Sequence, residues 1–324
     1  MTSVDRSPRA GVVAPARGSA PRTATGGAAP RGPRHGYDGW WPVLFVLPTM
    51  FGVVLFYLWP IVQTGYFSLT EWGAFGGQTW VGLENYQRLA RDPDLGTAVV
   101  NTLVYTAIVL LGIPIAMFVA SLLHRPGMRF TAFYRVLYFM PYVAMPTAVA
   151  MVWRLIFNGD FGILNQALGV VGIDGPSWTS TPGFALVAVS VVGLWTSLGF
   201  AIIILSAGLR TIPPELYEAA SLDGASAWRQ FRSVTVPLLT PSVFFVTVIT
   251  VINGFQLFDL LYALMGQANP AMQQTQSLVY LFYNEAFLRN DKGFAAAIAM
   301  VILLIVGAVT LLQFRMQRRW VTYA

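Results

Sequence analysis

Apolar residues along this chain gather into six runs of roughly 20 or more, the length an α-helix needs to cross a bilayer core. They fall at 42–69, 97–123, 133–157, 183–208, 238–265 and 293–315, with shorter polar stretches between them. The expected fold is therefore all-α and integral to a membrane, with six transmembrane helices. Pro48, Pro60, Pro114, Pro141, Pro146 and Pro241 lie inside or at the ends of these runs. Membrane helices tolerate such breaks when neighbours satisfy the freed backbone groups, so kinked and packed helices are predicted. In the second run Gly112, Ala116 and Ala120 recur every four residues, a small face that lets another helix approach closely.

One polar stretch is different in kind. Residues 215–237, ELYEAASLDGASAWRQFRSVTVP, are helix-forming, yet a glycine divides them and they separate the fourth run from the fifth. Pro213 and Pro214 suit a first helical turn, and Glu215 and Glu218 favour the positive end of its dipole. Gly224 can take the left-handed conformation that ends a helix, and Ser226 can cap a second helix reaching about Val236, before Pro237. The prediction for 209–237 is a helix–turn–helix lying across the membrane face between spans four and five. Ala219 and Ala220 give it a smooth side, and Leu222, Trp228 and Phe231 are apolar residues on a polar element. Such a unit is shaped to fill a partner's groove, where a basic residue would pair with Glu218.

Composition agrees: 56% of the 324 residues are hydrophobic and 10% charged, with a mean hydropathy of +0.60, which is too apolar for an ordinary soluble domain. The net charge of +6 is explained by topology and not by nucleic acid. Residues 1–39 carry six arginines among Ala, Gly and Pro and cannot bury enough surface to fold, so a disordered basic cytoplasmic tail is expected ahead of the membrane domain at 40–324. Fifteen Lys and Arg lie on the tail's side of the six runs, against Arg88, Arg91, Arg289 and Lys292 on the other. The positive-inside rule then places both termini and 209–237 in the cytoplasm. With no cysteine, disulfides and thiolate metal sites are excluded.

Polar groups are costly inside a span and point to a cavity. Asn253, Gln256 and Asp259 lie in the fifth run beside Phe255, Phe258 and Tyr262, and on a continuous helix they share a sector of about 120°. Amides and a carboxylate beside aromatic rings suit a solute with many hydroxyls. Trp195, Thr196 and Ser197 form a second polar-aromatic cluster in the fourth run. Hydrogen bonding to neighbouring helices is the competing account of both sets. Arg154 sits near the outer end of the third run, where it can snorkel towards water. No Gly-x4-Gly-Lys-Ser/Thr loop is present, and Lys292 is the single lysine, so ATP hydrolysis would require a separate subunit. His35 and His124 are the only histidines and no metal-ligand or nucleophile motif accompanies them, so neither a cofactor nor catalysis is expected. Proton or sodium coupling would call for several intramembrane carboxylates, and Asp259 stands alone.

The motif Glu218-Ala219-Ala220, three residues, Gly224, nine residues, then Val234-x-Val236-Pro237 resembles the EAA loop of binding-protein-dependent ABC importer permeases. The family's loop ends Ile-x-Leu-Pro, so Val234 and Val236 are conservative departures. VGLENYQRL (81–89), GILNQAL (162–168) and FDLLYAL (258–264) are similar to the maltose-type sugar permease branch. The resemblance implies a six-helix core in a bacterial plasma membrane. It also implies a role for Glu218, Ala219, Ala220, Gly224 and Pro237 in docking a pair of ATP-hydrolysing subunits. A second permease subunit, in a heterodimer, and an external solute-binding protein are implied too, with a mono- or oligosaccharide as solute. A glycerol phosphate is the alternative solute, but it would call for arginines in spans four and five, which have none. A DNA-binding helix–turn–helix is disfavoured because 209–237 lacks a supporting third helix and sets Glu215, Glu218 and Asp223 against three arginines. No nucleic-acid partner is expected.

Overall fold

The computed structural model describes residues 40–73, 76–124 and 127–321; the predicted tail at 1–39 lies outside them. By internal contacts the chain forms two compact units, Met1–Val53 and Val54–Ala324. The described part of the first is mainly one apolar helix, α1 (Trp41–Val53). The second begins with a π-helical turn and α2 (Trp59–Phe67), followed by a small hairpin of β1 (Thr70–Trp72) and β2 (Gln78–Trp80). Its strands pair antiparallel with Thr70 opposite Trp80. This hairpin corrects the all-α expectation: Gly76 and Gly77 both adopt positive φ, the geometry that a tight reversal needs and that only glycine takes freely.

Then come α3 (Glu84–Arg91), α4 (Pro93–Leu110), α5 (Gly112–Leu123), α6 (Thr131–Val143), α7 (Pro146–Ile156), α8 (Ile163–Val170) and α9 (Phe184–Leu209). Beyond these lie α10 (Pro214–Leu222), α11 (Ala227–Gln230), α12 (Val236–Leu238), α13 (Thr240–Phe255), α14 (Asp259–Met265), α15 (Met272–Thr275), α16 (Leu278–Tyr283) and α17 (Lys292–Trp320). Among the described residues four helices are long and apolar enough to cross a membrane: Pro42–Phe67, Pro93–Leu123, Phe184–Leu209 and Lys292–Arg318. Two bent pairs qualify when each is taken together, α6 with α7 at 96° and Ala227–Leu238 with α13 at 66°.

The third and fifth predicted spans are thus not single helices. Between α6 and α7 the chain is extended at Ala144 (ψ 143°) and Met145 (ψ 132°). Met145 precedes Pro146, whose ring disfavours helical backbone in the residue before it. The fifth run is interrupted differently, by a non-helical break at Gln256–Phe258.

Helix α9 is the centre of the bundle. It packs on α4, α5, α6 and α13 and buries Ala188, Val192, Ile202 and Leu205. The small-residue face predicted on the second span does what was expected: Ala116 and Ala120 are fully buried in the cluster that includes Ile202 and Leu205, and Gly112 faces Leu194 and Leu198. Closer still, a Cβ at Gly199 would overlap the Tyr138 carbonyl oxygen of α6.

The segment VGLENYQRL ties the end of α2 and β1 to the last helix. The Asn85 amide donates to the carbonyls of Ser68 and Thr70, both at 3.0 Å. Arg88 pairs with Asp291 at 2.6 Å and lies over the Phe294 ring at 3.9 Å.

Because the α6 backbone occupies the space beside residue 199, Gly199→Ala should destabilise the folded protein by about 1–3 kcal/mol, the usual penalty of overpacking. Gly169→Ala, with nothing near its Cβ, should be close to neutral. Thermal unfolding of the purified variants in detergent measures both.

Candidate functional site

Two regions carry the candidate residues. The first is the polar element between α9 and α13. Helix α10 ends in a Schellman turn, with Gly224 at φ +73°, its N–H bonded to the Ser221 carbonyl and that of Ala225 to the Ala220 carbonyl. The Ser226 side chain caps the following helix by accepting from the Arg229 N–H at 3.4 Å. The predicted helix–turn–helix is present, although the second arm continues through a π-helical turn (Phe231–Thr235) and Pro237 to Leu238. Pro237 stands near the end of this continuous arm, where its missing N–H removes one ladder bond beside the π-helical turn.

The two arms are braced against each other and against the bundle. The hydroxyls of Tyr217 and Thr235 share a hydrogen bond of 3.0 Å, and the Gln230 amide donates to Ser221 Oγ at 2.9 Å. Tyr217, Val234 and Leu238 pack on the buried cluster of α5 and α9. Phe231 stacks on Trp228 and meets Phe118 of α5 edge-on. What faces outward is the other side: Glu218 and Ala219 are exposed, as are Leu222 (90%) and Trp228 (65%). Glu218 makes no ion pair with any described residue. The braced element therefore presents an acid and large apolar side chains that no described residue covers.

The second region is the interrupted fifth run. Asn253 is the third residue from the end of α13, Gln256 follows it in the break and Asp259 opens α14. The shared helix face predicted for the three does not exist, because the helix carrying it stops at Phe255. All three side chains are exposed, and none forms a hydrogen bond with another described residue. The break is held from behind by groups the sequence reading passed over. Ser277 Oγ donates to the Leu257 carbonyl. The buried Asn101 amide donates to the carbonyls of Gln274 and Gln276 at 2.8 and 3.0 Å, and Thr102 Oγ1 accepts from the Leu278 N–H at 3.1 Å. The signal was the polar pair Asn101–Thr102 in an otherwise apolar run.

Beside the break, Phe258, Tyr262, Tyr280 and Tyr283 form one aromatic cluster, with ring centroids of successive neighbours 4.9–6.5 Å apart. On α9, Trp195 is 40% exposed and meets Trp153 edge-on at 5.5 Å. Thr196 and Ser197 donate to the carbonyls of Gly193 and Leu194 of their own helix. Their hydroxyls are thus satisfied within α9 and do not bond another helix. The structure keeps Asn253, Gln256 and Asp259 together around one break and leaves Trp195–Ser197 on a different element. Among the described residues no group of His, Asp and Glu is placed to hold a metal ion.

Residues 108–322 match the protein family described as binding-protein-dependent transport system inner membrane component. The chain is 32% identical over 282 residues to the probable ABC transporter permease protein YurN of Bacillus subtilis, covering 85% of this chain and 94% of that protein. It is 32% identical over 286 residues to the multiple sugar-binding transport system permease protein MsmF of Streptococcus mutans, covering 88% and 96%. To the sn-glycerol-3-phosphate transport system permease protein UgpA of Pectobacterium atrosepticum it is 30% identical over 291 residues, covering 88% and 97%. Among solved structures, a chain of a bacterial ABC transporter that imports the acidic polysaccharide alginate shares the fold, with a TM-score of 0.76, 21% identity and 87% and 96% coverage.

The brace around residues 214–238 depends on the left-handed turn at Gly224. Gly224→Val would force a β-branched residue into that conformation at about 1–3 kcal/mol, so amide hydrogen exchange across Pro214–Leu222 should quicken by roughly tenfold or more. Mass-spectrometric exchange measurements on the purified chain report it directly.

Proposed function

The chain belongs to the family of binding-protein-dependent transport system inner membrane components, the permease subunits of ABC importers, and from that premise we propose that it forms half of a sugar-conducting pathway moved by a separate ATPase. The observation that carries this reading is the braced element at 214–238. Its inner side is packed into the bundle and its outer side is uncovered, as a lever between a motor and the spans requires. Glu218, Ala219, Ala220 and Gly224 belong to the docking arm, and Pro237 marks where the second arm runs on towards α13. A pair of ATPase subunits docks here, and Glu218 meets a basic residue in their groove. We assign the chain six crossings with both termini in the cytoplasm, α6 with α7 counting as one and residues 240–265 as another. That assignment rests on the lysine and arginine distribution.

Asn253, Gln256 and Asp259 line the passage. Exposed polar side chains without partners are too costly to face lipid, and non-helical backbone at membrane depth is tolerated only inside protein or along a water-filled cavity. A single chain leaves these residues open on one side, so a second permease subunit closes the passage, and an external solute-binding protein delivers the solute. Trp195 with Trp153, and the cluster around Phe258 and Tyr262, offer flat apolar faces for sugar rings, while the amides and carboxylate meet hydroxyls. Thr196 and Ser197, their hydroxyls turned to their own helix, add polarity to the wall without a free donor. Relatives named for sn-glycerol-3-phosphate make a phosphorylated solute the second reading. Residues 184–209 and 240–265 contain no Lys or Arg to hold a phosphate, which favours a neutral saccharide.

Glu218→Lys should abolish uptake of labelled sugar into vesicles holding the full complex while leaving membrane insertion intact; full uptake would refute the docking role. Gln256→Ala should lower uptake by about tenfold, the scale of one or two hydrogen bonds, with basal ATP hydrolysis unchanged. Equal loss of uptake and hydrolysis would remove Gln256 from the passage.

A further inference from the structure

A cavity of about 600 Å³ lies between the polar element and the ends of α5 and α9. Its wall is mixed. Leu209, Ile212, Tyr217 and Phe231 make it largely apolar, and His124 and Arg210 bring cationic chemistry to one part of it. Arg135 of α6 stands close by: burial lowers the pKa of the His124 imidazole, and the positive charges of Arg135 and Arg210 lower it further. Arg135 and Arg210 thus both bear on His124, and of the three His124 and Arg210 line the cavity. Among the described residues none of them forms an ion pair, and Arg135 Nε is buried without a hydrogen-bond partner. Glu218 also borders the cavity but pairs with none of them.

A cation at the C-terminal end of α9 is stabilised by the helix dipole, which accounts for Arg210 singly. It does not account for Arg135, which lies in the N-terminal part of α6 and has a buried N–H left unmet, a state that itself costs about 1–3 kcal/mol. An anion in the cavity would offset the positive charge of Arg210 and of the neighbouring Arg135. We propose that this cavity binds the phosphate head of an anionic phospholipid from the cytoplasmic leaflet, with the apolar wall taking the glycerol and upper acyl atoms. The amphiphile is favoured over a free anion because the charged part occupies one end of an otherwise apolar space, and basic pockets between spans on the cytoplasmic side suit such head groups. The cytoplasmic assignment rests on the orientation given under Proposed function. The same cavity touches Tyr217, Glu218, Gln230 and Phe231 of the lever, so an occupant bears on the arm that the ATPase moves.

The complete complex, with its ATPase subunits, is reconstituted in nanodiscs of phosphatidylcholine alone or mixed with phosphatidylglycerol, and retained lipid is counted by native mass spectrometry. The wild type should retain phosphatidylglycerol over phosphatidylcholine. The pair Arg135→Gln with Arg210→Gln should retain roughly tenfold less, the scale of losing one or two charge-assisted contacts, and the Arg135→Lys, Arg210→Lys pair should recover much of it. Co-purification of the ATPase subunits shows that each variant assembles; His124→Gln and Arg135→Gln alone are read if the double variant does not. Equal retention by wild type and variants, or equal retention of both lipids, would overturn the proposal. So would stabilisation of the phosphatidylcholine complex by inorganic phosphate as large as that given by phosphatidylglycerol, which would make this a free-anion site. Sugar uptake is measured separately: loss of uptake with lipid retention intact would count against the transport reading, not against this one.

Discussion

Backbone polar groups in a hydrocarbon layer must find partners within the protein, because no water is there to meet them. That constraint governs the most informative part of this chain, where the fifth apolar run leaves helical geometry at Gln256–Phe258. The break persists because Ser277 takes the Leu257 carbonyl, and because Asn101 and Thr102 on α4 hold the returning chain at Gln274, Gln276 and Leu278. All but the Asn101–Gln274 bond are buried, and a buried bond is expensive to leave unmade. With the rear of the break secured, its front is free to present Asn253, Gln256 and Asp259.

The same logic, with a different bond type, governs the cytoplasmic element of the proposed reading. A lever transmits displacement only if it does not fold up under load. Here stiffness comes from the Tyr217–Thr235 hydrogen bond, the Gln230–Ser221 bond and apolar packing of Tyr217, Val234 and Leu238 on α5 and α9. Helix α9 (Phe184–Leu209) carries the exposed Trp195, and α13 (Thr240–Phe255) carries Asn253 near its end. Both arms of the element thus connect directly to helices that carry candidate passage residues. Only the short turns at 210–213 and 239 lie between the element and those helices.

Large parts of this were legible from order of residues alone. Apolar run length located the long helices, since hydrocarbon thickness sets that length. Pro213, Pro214, Gly224 and Ser226 located the helix–turn–helix because caps and left-handed turns are local properties, decided by the residue at the position. The spacing of Gly112, Ala116 and Ala120 foretold a close helix contact, and those residues are buried against α9.

What the sequence could not decide was whether each apolar run stays one helix. An apolar run with a proline reads the same whether the chain kinks slightly or turns by 96° at Met145–Pro146, and the fifth run has no proline at its break at all. There the Leu257 carbonyl is taken by Ser277, on a returning chain that Asn101 and Thr102 hold in place. The approach of Arg135 and Arg210 to His124 is of the same kind, since 11 and 75 residues of chain separate neighbours in that set and only packing brings them together. Local chemistry fixes caps, turns and spans; the partners that compete for a backbone group, and the charges that share a space, are fixed by tertiary contact.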